Sequence, residues 1–511
     1  MLLQHLFDAS AAARPDQAAL VFEGRRISYA ELDRRAARWA AWLQRQGVQR
    51  GDRVACHMDN GIAFVLALLA SLRCGAVFVP VGAACRAARL QAVLADSGAC
   101  VLFGQPTLRP VTAAALAGAP LVRACLWAEP GADPTEADTA DLPFVEPPTI
   151  DLDLAALIYT SGSTGEPKGV MLSHQNMLSA ARSVQAYLGL RRDDVLAGVL
   201  PLAYSYGLYQ VLLAFQVGAC VLVERSFAFP VKVLQTLAAE RATVLAAVPT
   251  MFALWLGLKN AAELAWPQLR LLTNAAAALS PEHIQRLRRL LPQAQLYSMY
   301  GMTECKRISY LPPEQLDLRP GSVGRGMPNQ EHWLVDEAGH RLPDGSTGEL
   351  VVRGSHVMRG YWNRPEMSAQ VLRPGPLPGE RVLYTGDVFR TDDEGWLYFV
   401  GRRDDIIKCR GEKVSPRAVE DALYALDGVQ EAAVVGVPDP LLGQAIVAYL
   451  VPAPGRVPSE REVIRHCMDR LDNGVAPQRV VFVDTLPKTD SGKVRKADLA
   501  TLHPPSTQRR N

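Results

Sequence analysis

At 511 residues the chain is too long for one hydrophobic core, so two or more domains are expected. Hydrophobic residues make up 49% and charged residues 21%, an ordinary globular balance, and a net charge of +2 gives no electrostatic basis for holding nucleic acid or a membrane surface. Nine cysteines, with no CxxC pair and no Cys/His cluster at zinc-ligand spacing, argue against a disulfide framework or structural zinc and for a reducing cytoplasm.

The N-terminus, MLLQHLFDASAAARPD, lacks a basic n-region and is interrupted by Asp8, so it does not read as a signal peptide. ISYAELDRRAARWAAWLQRQG carries apolar residues at helical spacing and closes on a Gly. DRVACHM predicts a strand, IAFVLALLASL (62–72) a buried helix and GAVFVPVG the next strand. That apolar run is the longest, yet it falls short of the roughly 20 residues that span a bilayer, so no transmembrane segment is expected. Alternating β and α elements predict a mostly parallel sheet covered by helices. The Ala- and Pro-rich stretch 113–148 is expected to hold a surface connection and an edge strand.

A second βα series runs from about Asn176 to Tyr300, with strands predicted in ACVLVE, ATVLAAVP and LRLLTNA. After Pro312 short β-rich pieces (HWLVDEAG, GELVVRG, GWLYFVG) are separated by Gly, Pro and Asp turns, which suits a small antiparallel barrel or curled sheet. From Asp404 the texture changes again: VSPRAVEDALYAL and EREVIRHCMDRL predict helices, EAAVVGVPD and QAIVAYLVP strands. The expected division is an α/β N-terminal domain (1–403) of two βα-layered subdomains plus a small β-barrel-like one, an α+β C-terminal domain (404–502), and a disordered tail (503–511).

LIYTSGSTGEPKGVMLSH carries an apolar strand into a loop of Thr160, Ser161, Gly162, Ser163, Thr164, Gly165 and Lys168. Such a loop offers backbone N–H groups, hydroxyls and one lysine to an anion. It is not a Walker A loop, because Pro167 and Gly169 stand where that pattern needs Gly and Ser or Thr. A generic loop of this composition is as commonly a plain surface loop. This order of residues, however, resembles the phosphate loop of the adenylate-forming superfamily of acyl-CoA synthetases, peptide-synthetase adenylation domains and luciferases. The resemblance continues in YGMTE (300–304), YTGD (384–387), GRRDDIIKCRGEKVSP (401–416) and PKTDSGKVRK (487–496).

The resemblance implies a role for each of these motifs. It implies that Tyr300 lies against adenine, that Thr303 contacts the α-phosphate and that Glu304 holds Mg²⁺, a cation that takes one or two carboxylates plus phosphates and waters. By the same resemblance Asp387 accepts from the ribose diol, with Arg402 beside it. Lys493 then corresponds to the lysine that bridges the substrate carboxylate and the α-phosphate. The family pattern further implies that the C-terminal domain rotates about Asp404, and that a face bearing Lys408, Gly411 and Lys413 admits a phosphopantetheine thiol. Taken one at a time, Glu304, Asp387, Asp404 and Lys493 would each pass for solvated surface charges.

The acyl pocket is expected to use PLAYSYGLY (201–209), with Tyr204 where many acyl-CoA synthetases carry His and Ser205 where amino-acid-activating relatives carry Asp. No Asp or Glu occurs between Asp194 and Glu224, which disfavours an α-ammonium substrate. In NAAAAL, Ala276 and Ala277 replace a glycine pair usual in relatives: either a strand end tolerating Ala, or added methyls that narrow the pocket. Lys306 and Arg307 either meet a polar substrate group or are solvated. The expected function is ATP-dependent, Mg²⁺-assisted activation of a small carboxylic acid to its acyl-AMP, then transfer to CoA. The alternatives are loading of a separate acyl carrier protein, a luciferase-like oxidase, or an inactive nucleotide-binding homologue.

Overall fold

The computed structural model describes residues 1–131, 144–161, 167–277, 279–410, 412–439, 441–453, 455–471, 475–488 and 494–502. The first βα series closes into a six-stranded sheet. Arg53–Met58 pairs in parallel with Val77–Gly82 and Val101–Gly104, and Ala124–Trp127 forms one edge. Leu154–Ser161 joins Val77–Gly82 and turns back antiparallel into Pro167–Ser173. Every residue of the helix Ile62–Arg73 is buried, as an all-apolar helix requires.

The second series forms a larger sheet. Cys220–Val223, Val195–Gly198, Val244–Ala247, Leu271–Asn274 and Gln295–Tyr300 lie side by side in parallel. The antiparallel segment expected after Pro312 is present, and its strands are continuous with this sheet. Ser309–Leu311 pairs with Gln295–Tyr300 and leads through Ser322–Gly326, Leu397–Arg402, Arg381–Thr391 and Thr347–Arg353 to Glu331–Val335. The other edge is taken by the start of the chain: in Ala18–Phe22, Leu20 faces Val221 of Cys220–Val223. No local sequence signal announces a pairing across such a separation.

The two sheets meet through the helix His174–Leu188. Ser173 and Asn176 close a capping box at its start, and Gly189 ends it at φ +57°. The C-terminal part has a five-stranded sheet of its own (Ile407–Cys409, Glu412–Val414, Val429–Asp439, Gly443–Pro452, Arg479–Phe482). Its core is separate, built on residues such as Ile407, Val419, Leu423, Ile446 and Val463. Among the described residues no helix is long and apolar enough to cross a membrane.

Candidate active site

In parallel α/β sheets ligands bind beyond the C-terminal strand ends. Leu271–Asn274 and Gln295–Tyr300 end together here, Asn274 facing Ser298. From Tyr300 the chain folds into a tight loop carrying Thr303 and Glu304. A Cβ on Gly301 would collide with the Lys306 carbonyl, so only glycine fits at that position. The Tyr300 hydroxyl donates to Asp387 Oδ2, and Arg402 Nε lies 3.6 Å from Asp387 Oδ1. The antiparallel register of Arg381–Thr391 and Leu397–Arg402 sets Asp387 opposite Arg402. Asp387 is 5% exposed, whereas the Arg402 side chain is 58% exposed. Burial, then the charge and hydrogen bond of Asp387, push the Tyr300 phenol well above its ordinary pKa, so it stays a donor. Behind them Glu349 accepts from the Gly386 amide (3.0 Å) and pairs with Arg403 (3.2 Å), which fixes the turn holding Asp387.

Glu304 is buried and accepts a hydrogen bond from the Tyr361 hydroxyl at 2.8 Å. Lys168 Nζ lies 4.7 Å from the centroid of the Tyr361 ring. Main-chain bonds from Trp362 to Gly169 and from Arg359 to Met171 seat Tyr361 beside the strand Pro167–Ser173. Thr160 faces Lys168, and Ser161 faces Pro167, across the hairpin. Gly162, Ser163, Thr164, Gly165 and the Ser161 side chain lie outside the described residues. Tyr361 was invisible to sequence reasoning, because a single aromatic in GYWN carries no signal until the strand pairing brings it to Glu304. Among the described residues no group of three or more His, Cys, Asp or Glu could hold a metal. One buried carboxylate, joined through Tyr361 to Lys168, fits Mg²⁺, which completes its shell with substrate phosphates and water.

Of the residues expected to border the acid, Tyr204 and Ser205 are half-buried at the start of the helix Ser205–Val217. Ala276 and Ala277 are exposed just past Leu271–Asn274, and Asn274, fully buried, donates to the Ala277 carbonyl at 2.9 Å. Ala276 sits at φ +74°, a left-handed backbone that favours glycine, so this strand end accommodates alanine under strain. Leu208 and Tyr209 face the core, and the Tyr209 hydroxyl donates to Met177 O. Lys306 and Arg307 are 6% and 3% exposed, which overturns the solvated reading: the loop after Glu304 turns both side chains inward, toward Tyr206. Burial, then the neighbouring Arg307 charge, holds the Lys306 ammonium well below the usual lysine pKa.

Asp404 lies exposed in the turn between Leu397–Arg402 and Ile407–Cys409. Lys408 is exposed and faces Lys413 across the following hairpin. Gly411, the Lys413 side chain and Lys493 lie outside the described residues, as does the tail 503–511. Of the described residues flanking Lys493, Lys488 pairs with Glu431 (2.7 Å) and bridges to Val494, and Lys496 pairs with Glu420 (2.7 Å).

The profile of the AMP-binding enzymes matches residues 7–362, and that of the AMP-binding enzyme C-terminal domain matches 418–493. The chain therefore belongs to the AMP-binding, adenylate-forming family. It is 35% identical over 492 residues to a feruloyl-CoA synthase of Amycolatopsis sp, spanning 95% of this chain and 96% of that one. Among solved structures, ATP-bound MatB from Rhodopseudomonas palustris superposes with a TM-score of 0.89 at 31% identity, covering 98% of this chain and 99% of the other. An anthranilate CoA ligase in complex with anthranoyl-AMP gives a TM-score of 0.91 at 25% identity, covering 99% and 97%.

Proposed function

We infer that this chain is an ATP-dependent acid–thiol ligase that converts a carboxylic acid to its acyl-AMP, releasing pyrophosphate, and passes the acyl group to CoA. The observation that carries the reading is the convergence of Tyr300, Asp387 and Arg402 with Glu304, Tyr361 and Lys168 around one strand-end crevice, in a chain of this family.

In the first half-reaction a substrate carboxylate oxygen attacks the α-phosphorus of ATP. The new P–O bond forms as the bond to the β-phosphate oxygen breaks, and pyrophosphate leaves. In our reading Asp387 accepts from the ribose hydroxyls, Arg402 stands beside that carboxylate, and Tyr300 flanks the adenine. The loop from Thr160 through Ser161, Gly162, Ser163, Thr164 and Gly165 wraps the phosphates with Lys168. Thr303 donates to the α-phosphate and Glu304 would hold Mg²⁺, which supplies positive charge to the phosphates when bound. Lys493 neutralises charge on both reacting groups. In the second half-reaction the thiol sulfur attacks the acyl carbon and AMP leaves. For this step we assign a domain boundary at 403/404, rotation about Asp404, and a pantetheine path past Lys408, Gly411 and Lys413. Tyr204, Ser205, Ala276 and Ala277 border the acid. We place this activity in a reducing cytoplasm, in keeping with nine free thiols.

The test is ATP–pyrophosphate exchange over fatty, aryl, dicarboxylic and amino acids, followed by thioester formation with CoA and with carrier proteins. Exchange with at least one acid and thioester formation on CoA are expected. Exchange with no acid overturns the reading, and thioester formation on a carrier protein alone reassigns the acceptor. Each α-amino acid is expected to lose to its deamino counterpart by tenfold or more, since two buried cations and no carboxylate border this side of the crevice.

A further inference from the structure

Lys306 and Arg307 are the unusual feature of this crevice. Elsewhere the fold pairs its buried or half-buried arginines: Arg73 with Asp8 and Asp33, Arg270 with Asp194. Lys306 and Arg307 form no ion pair among the described residues, although both are more than nine-tenths buried. Arg307 Nε, buried, has no hydrogen-bond partner. Aromatic rings stand against both cations, and much of the rest of the pocket wall is aliphatic. Lys306 Nζ lies 5.1 Å from the Tyr206 ring centroid and 4.5 Å from that of Tyr209, and the Arg307 guanidinium lies 5.3 Å from Tyr206. Cation–π contact offsets part of the desolvation of a cation, but two adjacent like charges with no anion remain costly.

Both side chains line a narrow pocket with Tyr206, Gln210, Thr273 and Met299. Three of its lining residues adjoin the strand-end site in the chain: Thr273 precedes Asn274, Met299 precedes Tyr300, and Lys306 comes two residues after Glu304, which sets the pocket next to the strand ends where we place acid activation. The Tyr206 hydroxyl is turned toward Thr273 (2.7 Å to Oγ1), which leaves its ring as the wall beneath the cations.

We propose that Lys306 and Arg307 form an anion subsite at the inner end of the acyl pocket, and that the acid this enzyme activates carries a second carboxylate which binds there. The proposal rests on the ligase reading above. A guanidinium fork beside an ammonium suits a carboxylate, which accepts two parallel N–H bonds from the first and a charge-assisted bond from the second. The subsite also orients the substrate, because the distal carboxylate held inside leaves the other at the mouth, toward Thr303 and the α-phosphate. Thr303 and Arg307 are only four residues apart in the chain, so in this proposal the two acid groups are joined by a short skeleton rather than a fatty chain.

The test compares, by pyrophosphate exchange with the full chain, short aliphatic and aryl dicarboxylic acids with their monomethyl esters, alongside simple monocarboxylic acids of matched length. Each ester keeps the size and loses only the distal charge. We expect one diacid to exceed its monoester at least tenfold in kcat/KM. Arg307→Met and Lys306→Met should each remove that preference by lowering the diacid value and sparing the ester, and Arg307→Lys should restore part of it. Removing a buried unpaired charge does not threaten folding, and a thermal melt of each variant checks this. Wild-type exchange with uncharged acids that equals or exceeds exchange with the diacids overturns the subsite and leaves the ligase reading standing. An equal loss on both substrates in Arg307→Met also overturns it, by making the residue structural. Exchange with no acid at all overturns both.

Discussion

Replacing Asp387 by Asn probes the nucleotide half of the site, because the change keeps the size of the side chain while removing its charge and one of its two acceptor oxygens. Asp387 is buried, accepts from the Tyr300 hydroxyl and lies 3.6 Å from Arg402. If it also accepts from two ribose hydroxyls, the wild type gives ATP two hydrogen bonds to an ionised acceptor. Such bonds are worth about 1.5–3 kcal/mol each, against about 0.5–1.5 kcal/mol between neutral groups. The amide keeps one carbonyl oxygen and presents an NH₂ where an acceptor was, so the net loss is about 2–3 kcal/mol. At about 1.4 kcal/mol per decade this is a fall of about 30- to 150-fold in kcat/KM for ATP. Stability should change by less than about 1 kcal/mol, because the amide oxygen can still accept from the Tyr300 hydroxyl and the other partner, Arg402, is largely exposed and is rehydrated. The assay is exchange at saturating acid over a range of ATP and of 2′-deoxy- and 3′-deoxy-ATP, with a urea melt beside it. The wild type should discriminate against at least one deoxy nucleotide and the variant should not, which is the signature of a direct contact in a double-mutant cycle. Discrimination undiminished in Asp387→Asn would refute the ribose assignment even if activity fell.

Lys493→Ala should abolish adenylate formation while sparing thioester formation from pre-made acyl-AMP; pyrophosphate exchange near the wild-type rate removes Lys493 from the first half-reaction. Asp404→Pro should leave exchange largely intact and block thioester formation, since proline fixes φ at a turn that a domain rotation has to use; unimpaired thioester yield rules out the hinge. Ala276→Gly trades a left-handed strain of about 1–2 kcal/mol against about 0.4–1 kcal/mol of extra unfolded-state entropy. Its melting behaviour should therefore stay within about 1 kcal/mol of wild type while bulkier acids gain in kcat/KM; an unchanged acid profile means the methyl does not border the substrate.

The strand and helix succession was legible because it is local. Burial of the whole Ile62–Arg73 helix comes from its unbroken apolar run, and the strands Arg53–Met58 and Leu271–Asn274 stand within the strand-like runs DRVACHM and LRLLTNA. Non-local pairing was not legible. Nothing in ALVF says that Ala18–Phe22 belongs to the second sheet, or that the segment after Pro312 prolongs that sheet through Ser309–Leu311. The same distinction runs through the site. Tyr300, Glu304 and Asp387 were named from motifs, but the partners that hold them in place, Tyr361 for Glu304 and Glu349 for the Gly386 turn, lie 57 and 37 residues away from the groups they bind and carry no pattern of their own.

Lys306 sharpens this point, because the sequence put it beside the right motif and left its environment open. In CKRI a lysine and an arginine after a loop glutamate read as a solvated pair, the usual fate of such residues. The fold decides otherwise through backbone geometry. Lys306 adopts φ +62°, and Gly301 gives its carbonyl room, so the loop after Glu304 reverses tightly enough to send both side chains under the helix Ser205–Val217. Ala276, at φ +74°, lies just beyond the neighbouring strand end. Non-glycine residues in the left-handed region persist where the surroundings over-determine them, and these two flank the same crevice. Both lie outside the motifs that we assign to ATP, so substitutions at 276, 306 and 307 are expected to move acid preference while leaving the KM for ATP unchanged.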